Sequence, residues 1–186
     1  MRNATGITGV IALTETKTVT ISKKGMKAAR NIFWGLIPVI LLFALAGCTD
    51  SNMIIDQNTS IENLNWSYAN KIKNDFKIDD TSIPYNIYLN LRVTGNYRYS
   101  NIFLLLKKKG PKLNATTRYE IKLAEADGQW LGTGSGNLYS FQVPLITQFK
   151  FPAKGEYHFE LEQNMRDNPL HEVSDAGLRV EKTPAQ

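Results

Sequence analysis

The chain has 186 residues, 42% of them hydrophobic and 21% charged, which fits one ordinary globular domain and excludes a disordered or low-complexity chain. Its single cysteine excludes an internal disulfide and a cysteine-built zinc site. The net charge of +5 lies within residues 1–47, where six basic side chains face Glu15 alone, and the other 16 basic and 16 acidic groups balance. That distribution removes the case for nucleic acid as a partner.

Residues 1–25 are Thr-rich and carry no strong periodicity; translation is expected to start at Met26, leaving 1–25 as a mis-annotated extension. Residues 26–47 have the layout of a secretory signal. Lys27 and Arg30 form a positive region, Ile32 to Ala44 is almost unbroken apolar sequence, and Leu45-Ala46-Gly47-Cys48 matches the bacterial lipobox. Small residues let a peptidase reach the backbone, and the Cys48 thiol accepts the lipid. Ile32 to Gly47 is shorter than the roughly 20 residues a spanning helix needs. Residues 48–60 are expected to be the lipidated terminus and a polar tether. Thr49 follows the cysteine where an aspartate would signal retention in the inner membrane, so the expected location is the outer membrane, facing the periplasm.

Residues 61–182 read as all-β, with a polar tail at 183–186. An early strand or two falls around Trp66 and Phe76–Ile78. Tyr85, Ile87, Leu89, Leu91 and Val93 alternate with polar residues over ten positions, the period of a half-buried strand, so Leu89 and Leu91 are predicted core. Ile102 to Leu106 is continuously apolar and suits a strand covered on both faces, with Lys107-Lys108-Lys109 as a solvated loop ending it. Tyr119, Ile121 and Leu123 alternate next, up to the turn at Ala126-Asp127-Gly128. Leu138 to Phe151 carries one or two strands, which Pro144 keeps from forming an unbroken central one. Tyr157, Phe159 and Leu161 mark another strand, and Leu178 and Val180 the last. Six to eight short strands without a sustained helical period indicate a β-sandwich, Ig-like or jelly-roll.

Chemistry-bearing patterns are sparse. His158 and His171 have no second ligand at metal spacing, so neither a metal nor a cofactor is expected. Gly132 to Gly136 lacks the endings of a phosphate loop or nucleophile elbow and reads as a hairpin loop. Asp79-Asp80 reads as a turn without EF-hand spacing. Trp130, Tyr97 and Tyr99 lie in or beside loops, where they either plug the core or offer a sugar-stacking platform. In Gln163-Asn164-Met165-Arg166, Arg166 is expected either to pair with Asp175 or Asp167 or to face a partner.

Several stretches together resemble the gliding-motility-associated lipoprotein GldH family of Bacteroidetes. They are Phe76-x-Ile78-Asp79-Asp80 with Pro84-Tyr85, Tyr97-Arg98-Tyr99-Ser100-Asn101-Ile102, and Asp127-Gly128-Gln129-Trp130. Phe151-Pro152-Ala153-Lys154-Gly155 and Gln163-Asn164-Met165-Arg166 follow, and Asp175-Ala176-Gly177-Leu178 closes the set, with Ala176 where the family pattern has valine. The likeness spans about Phe76 to Glu181. It implies a non-enzymatic accessory lipoprotein of gliding and the linked type IX secretion machinery. Its implied partners are the membrane, through Cys48, and other envelope lipoproteins or secretion components. It carries over no catalytic residue. The rivals are a glycan-binding lipoprotein of a polysaccharide-uptake system, with Trp130 and Tyr97 as platform, and a hydrolase with convergent carboxylates.

Overall fold

A computed structural model describes residues 51–184; the signal segment and Cys48 lie outside them. The strands are β1 (Met53–Ser60), β2 (Asn65–Trp66), β3 (Ile72–Ile78), β4 (Tyr85–Thr94), β5 (Asn101–Gly110) and β6 (Leu113–Lys122). They continue with β7 (Thr133–Ser135), β8 (Leu138–Phe149), β9 (Gly155–Gln163), β10 (Leu170–His171) and β11 (Val173–Lys182). A five-stranded sheet has the order β1-β11-β4-β8-β7, a four-stranded sheet the order β3-β9-β5-β6, and β2 pairs with β10. All pairs are antiparallel.

The long strands pair in nested fashion: β5 with β6, β4 with β8, β3 with β9, and β1 with β11. The chain is one long hairpin, closed at Pro111-Lys112 and rolled into two sheets. Of the two sandwich types expected, this is the jelly roll.

Alternation decides which face each strand buries. Ile87, Leu89 and Leu91 are at most 1% exposed, as their phase requires. Ile102, Leu104 and Leu106 from β5, Tyr157, Phe159 and Leu161 from β9, and Ala176, Leu178 and Val180 from β11 join them in one core. Phe76, Tyr85, Phe151, Tyr157 and Phe159 close one end as an aromatic cluster, with Phe151 and Tyr157 4.6 Å apart between centroids and tilted by 62°. Such pairs add about 0.5–1.5 kcal/mol beyond their buried area.

Three expectations are corrected. Met53–Ser60, read as tether, is the edge strand β1. Only Ile54 and Ile55 of it pack on the core, so the polar Asp56-Gln57-Asn58-Thr59-Ser60 hides the strand from a hydrophobicity reading. The lysine run is not a loop: β5 continues to Gly110, and Lys108 points inward, 7% exposed, its Nζ donating to Thr117 Oγ1 at 3.2 Å. Nor is β5 covered on both faces. Phe103 and Leu105 are half-buried on the outer side, with the Arg118 guanidinium 3.9 Å from the Phe103 ring centre.

Pro144 does not break its strand. β8 runs unbroken from Leu138 to Phe149, but β7 covers it only at Leu138–Ser140, so Pro144 sits on a free edge. The register with β4 shifts on both sides of Ile87, the bulging that an edge proline accompanies.

Candidate functional site

The outer face of the five-stranded sheet carries polar residues in register. Asn58, Gly177, Asn90 and Gln142 stand opposite one another across β1, β11, β4 and β8. Beside them run Ser60, Asp175, Arg92, Ser140 and Thr133, reaching β7. These positions alternate with the core set on the same strands, so burying Leu89 and Leu91 obliges Asn90 and Arg92 to face outward. The result is an open hollow of about 490 Å³ lined by Asp56, Asn58, Asn90, Arg92, Gln142 and Thr133 among others.

Its polar groups hold one another. Asn90 Nδ2 donates to Asp56 Oδ1 at 2.6 Å, and Gln142 Nε2 donates to Asn90 Oδ1 at 3.0 Å. The Arg179 guanidinium donates to Asp56 Oδ2 at 3.1 Å and to Glu181 at 2.7 Å; the Glu181 bond, then Asp56, raise its pKa. Arg92 Nε donates to Asp175 Oδ2 at 2.6 Å, joined there by Ser174 Oγ at 2.9 Å. Asp175 is 1% exposed and its Oδ1 is buried without a hydrogen-bond partner. The Asp175 end of this pair is buried while Arg92 is exposed, and the bond sets the direction of the Arg92 guanidinium.

The expected site residues fall apart in space. Asp175 belongs to this face and is claimed by Arg92, not by Arg166. Asp167 accepts from the Tyr99 hydroxyl. Arg166 is exposed, and no ion pair to it occurs among the described residues, so of the two alternatives the structure does not show the pairing. Gln163 is fully buried and organises the loop after β9. Its Nε2 donates to the carbonyls of Trp66 and Asp167 at 3.3 and 3.0 Å, and its Oε1 accepts from Met165 N at 2.8 Å. Tyr68 ties the same loop twice, its N donating to Asn168 Oδ1 at 3.0 Å and its hydroxyl to the Met165 carbonyl. Gln163 thus shapes the loop that presents Arg166.

Trp130 is half-buried and stacks on Tyr139, with centroids 5.0 Å apart and planes 28° from parallel. Tyr97 is buried, its hydroxyl donates to the Asn101 carbonyl at 3.1 Å, and burial raises its pKa. Tyr97 packs into the core, and with Tyr99 and Trp130 it borders an open hollow of about 340 Å³ at this end of the sandwich. His158 meets Asp75 at 2.8 Å and His171 meets Asn65 at 2.6 Å, both exposed. Asp80 accepts from Ser82 N and Oγ, an Asx turn, and those bonds lower its pKa.

Asn58, Asn90, Arg92 and Gln142 were not singled out in advance. They come from three strands far apart in sequence, so no local motif contains them. The available signal was Gly177, a glycine inside a strand pattern, which marks a close backbone approach. A Cβ there would lie 1.8 Å from the Gln57 carbonyl oxygen.

Fold and site together define an antiparallel jelly roll carrying a polar groove across one sheet. Residues 53–180 match the model of the GldH lipoprotein family, and the chain belongs to that family. It is 27% identical over 168 residues to the gliding motility lipoprotein GldH homolog of Christiangramia forsetii, covering 85% of this chain and 99% of that one. It is 26% identical over 155 residues to the gliding motility lipoprotein GldH of Flavobacterium johnsoniae, covering 79% and 93%. No solved structure matches the chain.

Proposed function

We propose that this protein is a membrane-anchored, non-catalytic component of the gliding machinery, held in the outer membrane by lipid on Cys48, facing the periplasm and serving type IX secretion or envelope assembly. The family match over nearly all of the described residues carries the reading. Its near-full-length relatives are named as gliding motility lipoproteins. The lipobox Leu45-Ala46-Gly47-Cys48 supports the anchor. The state of the groove supports a binding role: Asp56 is held by Arg179 and Asn90, and Asp175 by Arg92 and Ser174. Carboxylates tied to neighbouring donors in this way help to shape a binding surface.

The test is a chromosomal Cys48→Ala replacement in the native host beside a gene deletion. Fatty-acid labelling, membrane fractionation, colony spreading and the secreted protein profile are read together. Lost labelling, release from membranes and lost spreading are expected. Undiminished labelling overturns the anchor. Normal spreading and secretion in the deletion strain overturn the machinery role.

A further inference from the structure

The groove over the five-stranded sheet has a composition that selects its ligand. We propose that it binds an uncharged glycan chain, laid across the strands from β1 to β7.

Length comes first. The lining residues Asn58, Asn90, Gln142 and Thr133 belong to β1, β4, β8 and β7, with β11 between the first two. Three inter-strand spacings of about 4.8 Å from β11 to β7 give a track of roughly 14 Å, which β1, drawn in over β11, extends. The hollow is open rather than enclosed, so it suits a passing chain more than a small molecule that must be surrounded.

Charge comes second. The charged groups on this face are already engaged: Asp56 with Arg179, Glu181 with Arg179, and Arg92 with Asp175. Three carboxylates meet two guanidiniums, which leaves no excess of positive charge to draw an anion. A phosphate or an acidic polymer therefore has nothing to pull it in.

Hydrogen-bonding capacity comes third. Amides offer donors and acceptors in one plane, and a guanidinium offers a fixed fork of donors. Arg92 gives only its Nε to Asp175, and that bond, made to a buried carboxylate, orients the rest of the guanidinium. Asn58 and Thr133 are exposed along the track, with the Ser140 hydroxyl between them. A sugar ring presents hydroxyls that donate and accept at short intervals, the complement of such a lining. A peptide would ask instead for apolar side-chain pockets, and this face provides a row of amides and hydroxyls.

The site is separate from the aromatic end at Trp130 and Tyr97, so it is read by hydrogen bonds without a stacking platform. It also stands apart from the role in motility, because it rests on the groove alone.

The test uses the full chain in detergent and isothermal titration. The probes are linear hexasaccharides of glucose, mannose and N-acetylglucosamine, together with neutral polysaccharide extracted from the host's own envelope. Binding of at least one probe is expected. Asn58→Ala and Gln142→Ala should each weaken it fivefold or more with the melting temperature unchanged, and Arg98→Ala, outside the groove, should leave it intact. Failure of every probe to bind the native chain overturns the proposal, and so does binding that survives both groove substitutions. Photocrosslinking from position 58 to an envelope protein, with no sugar bound, assigns the face to a protein and also overturns it.

Discussion

Asp56 and Asn90 hydrogen-bond at 2.6 Å although their strands are not neighbours, because β11 runs between β1 and β4. Two strand spacings amount to about 9.5 Å, more than these short side chains span over an ordinary sheet. The bond forms because position 177 of the intervening strand is glycine. With no side chain there, β1 presses onto β11 and carries Asp56 over it.

Gly177→Ala tests that relationship directly. The new methyl would meet backbone at 1.8 Å, and a strand cannot turn aside as a side chain can. We expect a loss of about 1–3 kcal/mol, the range of overpacking. The Asp56→Ala change should cost less in that background than in the native chain, since the displaced β1 has already lost its bond to Asn90. Denaturant melts of the four proteins give the comparison.

Leu89 is fully buried at the centre of β4. Leu89→Ala should cost about 2–5 kcal/mol, through lost transfer energy and the cavity left behind. A melting temperature equal to that of the native protein would contradict the strand phase.

Lys108 is buried with a hydroxyl, and no carboxylate, as its hydrogen-bond partner, and desolvation lowers its pKa from the ordinary 10.5. The folded state therefore holds this proton less tightly than the unfolded chain. The penalty is present in full below the folded pKa and is relieved as pH rises through it towards 10.5. Lys108→Met should raise stability at neutral pH by about 1 kcal/mol, the scale of an imperfectly compensated buried polar group. The gain should shrink as the melts are repeated at rising alkaline pH.

Gln163 and Arg166 sit three residues apart and should behave oppositely. Gln163→Ala leaves the Trp66 and Asp167 carbonyls and the Met165 amide without their partner, at a cost of about 2 kcal/mol. Arg166→Ala removes an exposed side chain and should change stability by no more than about 0.5 kcal/mol. If Arg166 meets a partner, its substitution should impair spreading or secretion while the purified protein melts normally.

The core was legible because period two is a local signal. Tyr85 to Val93 states which face it buries without reference to any other strand, and Tyr157 to Leu161 does the same. β1 was not legible, because an exposed edge strand needs few apolar residues and Asp56 to Ser60 supplies none. The lysine run misled because charge was taken for solvent exposure, whereas a lysine stem can lie along a sheet with its head near a hydroxyl, as in Lys108. The groove was hidden for another reason. Asn58, Asn90 and Gln142 are ordinary residues in their own strands and become a set only when β11 comes between the first two.

The nested pairing also sets an order of events at the ribosome. Among the described residues β11 is the last strand in the chain, yet it lies inside the larger sheet with β1 on one side and β4 on the other. Until Val173–Lys182 emerges, β1 has no partner and β4 lacks one of its two, so that sheet cannot close on the nascent chain. Contacts between residues so distant in sequence form slowly. For a member of a lipoprotein family, a precursor that stays open until its final strand is synthesised is one that can still be threaded across a bilayer.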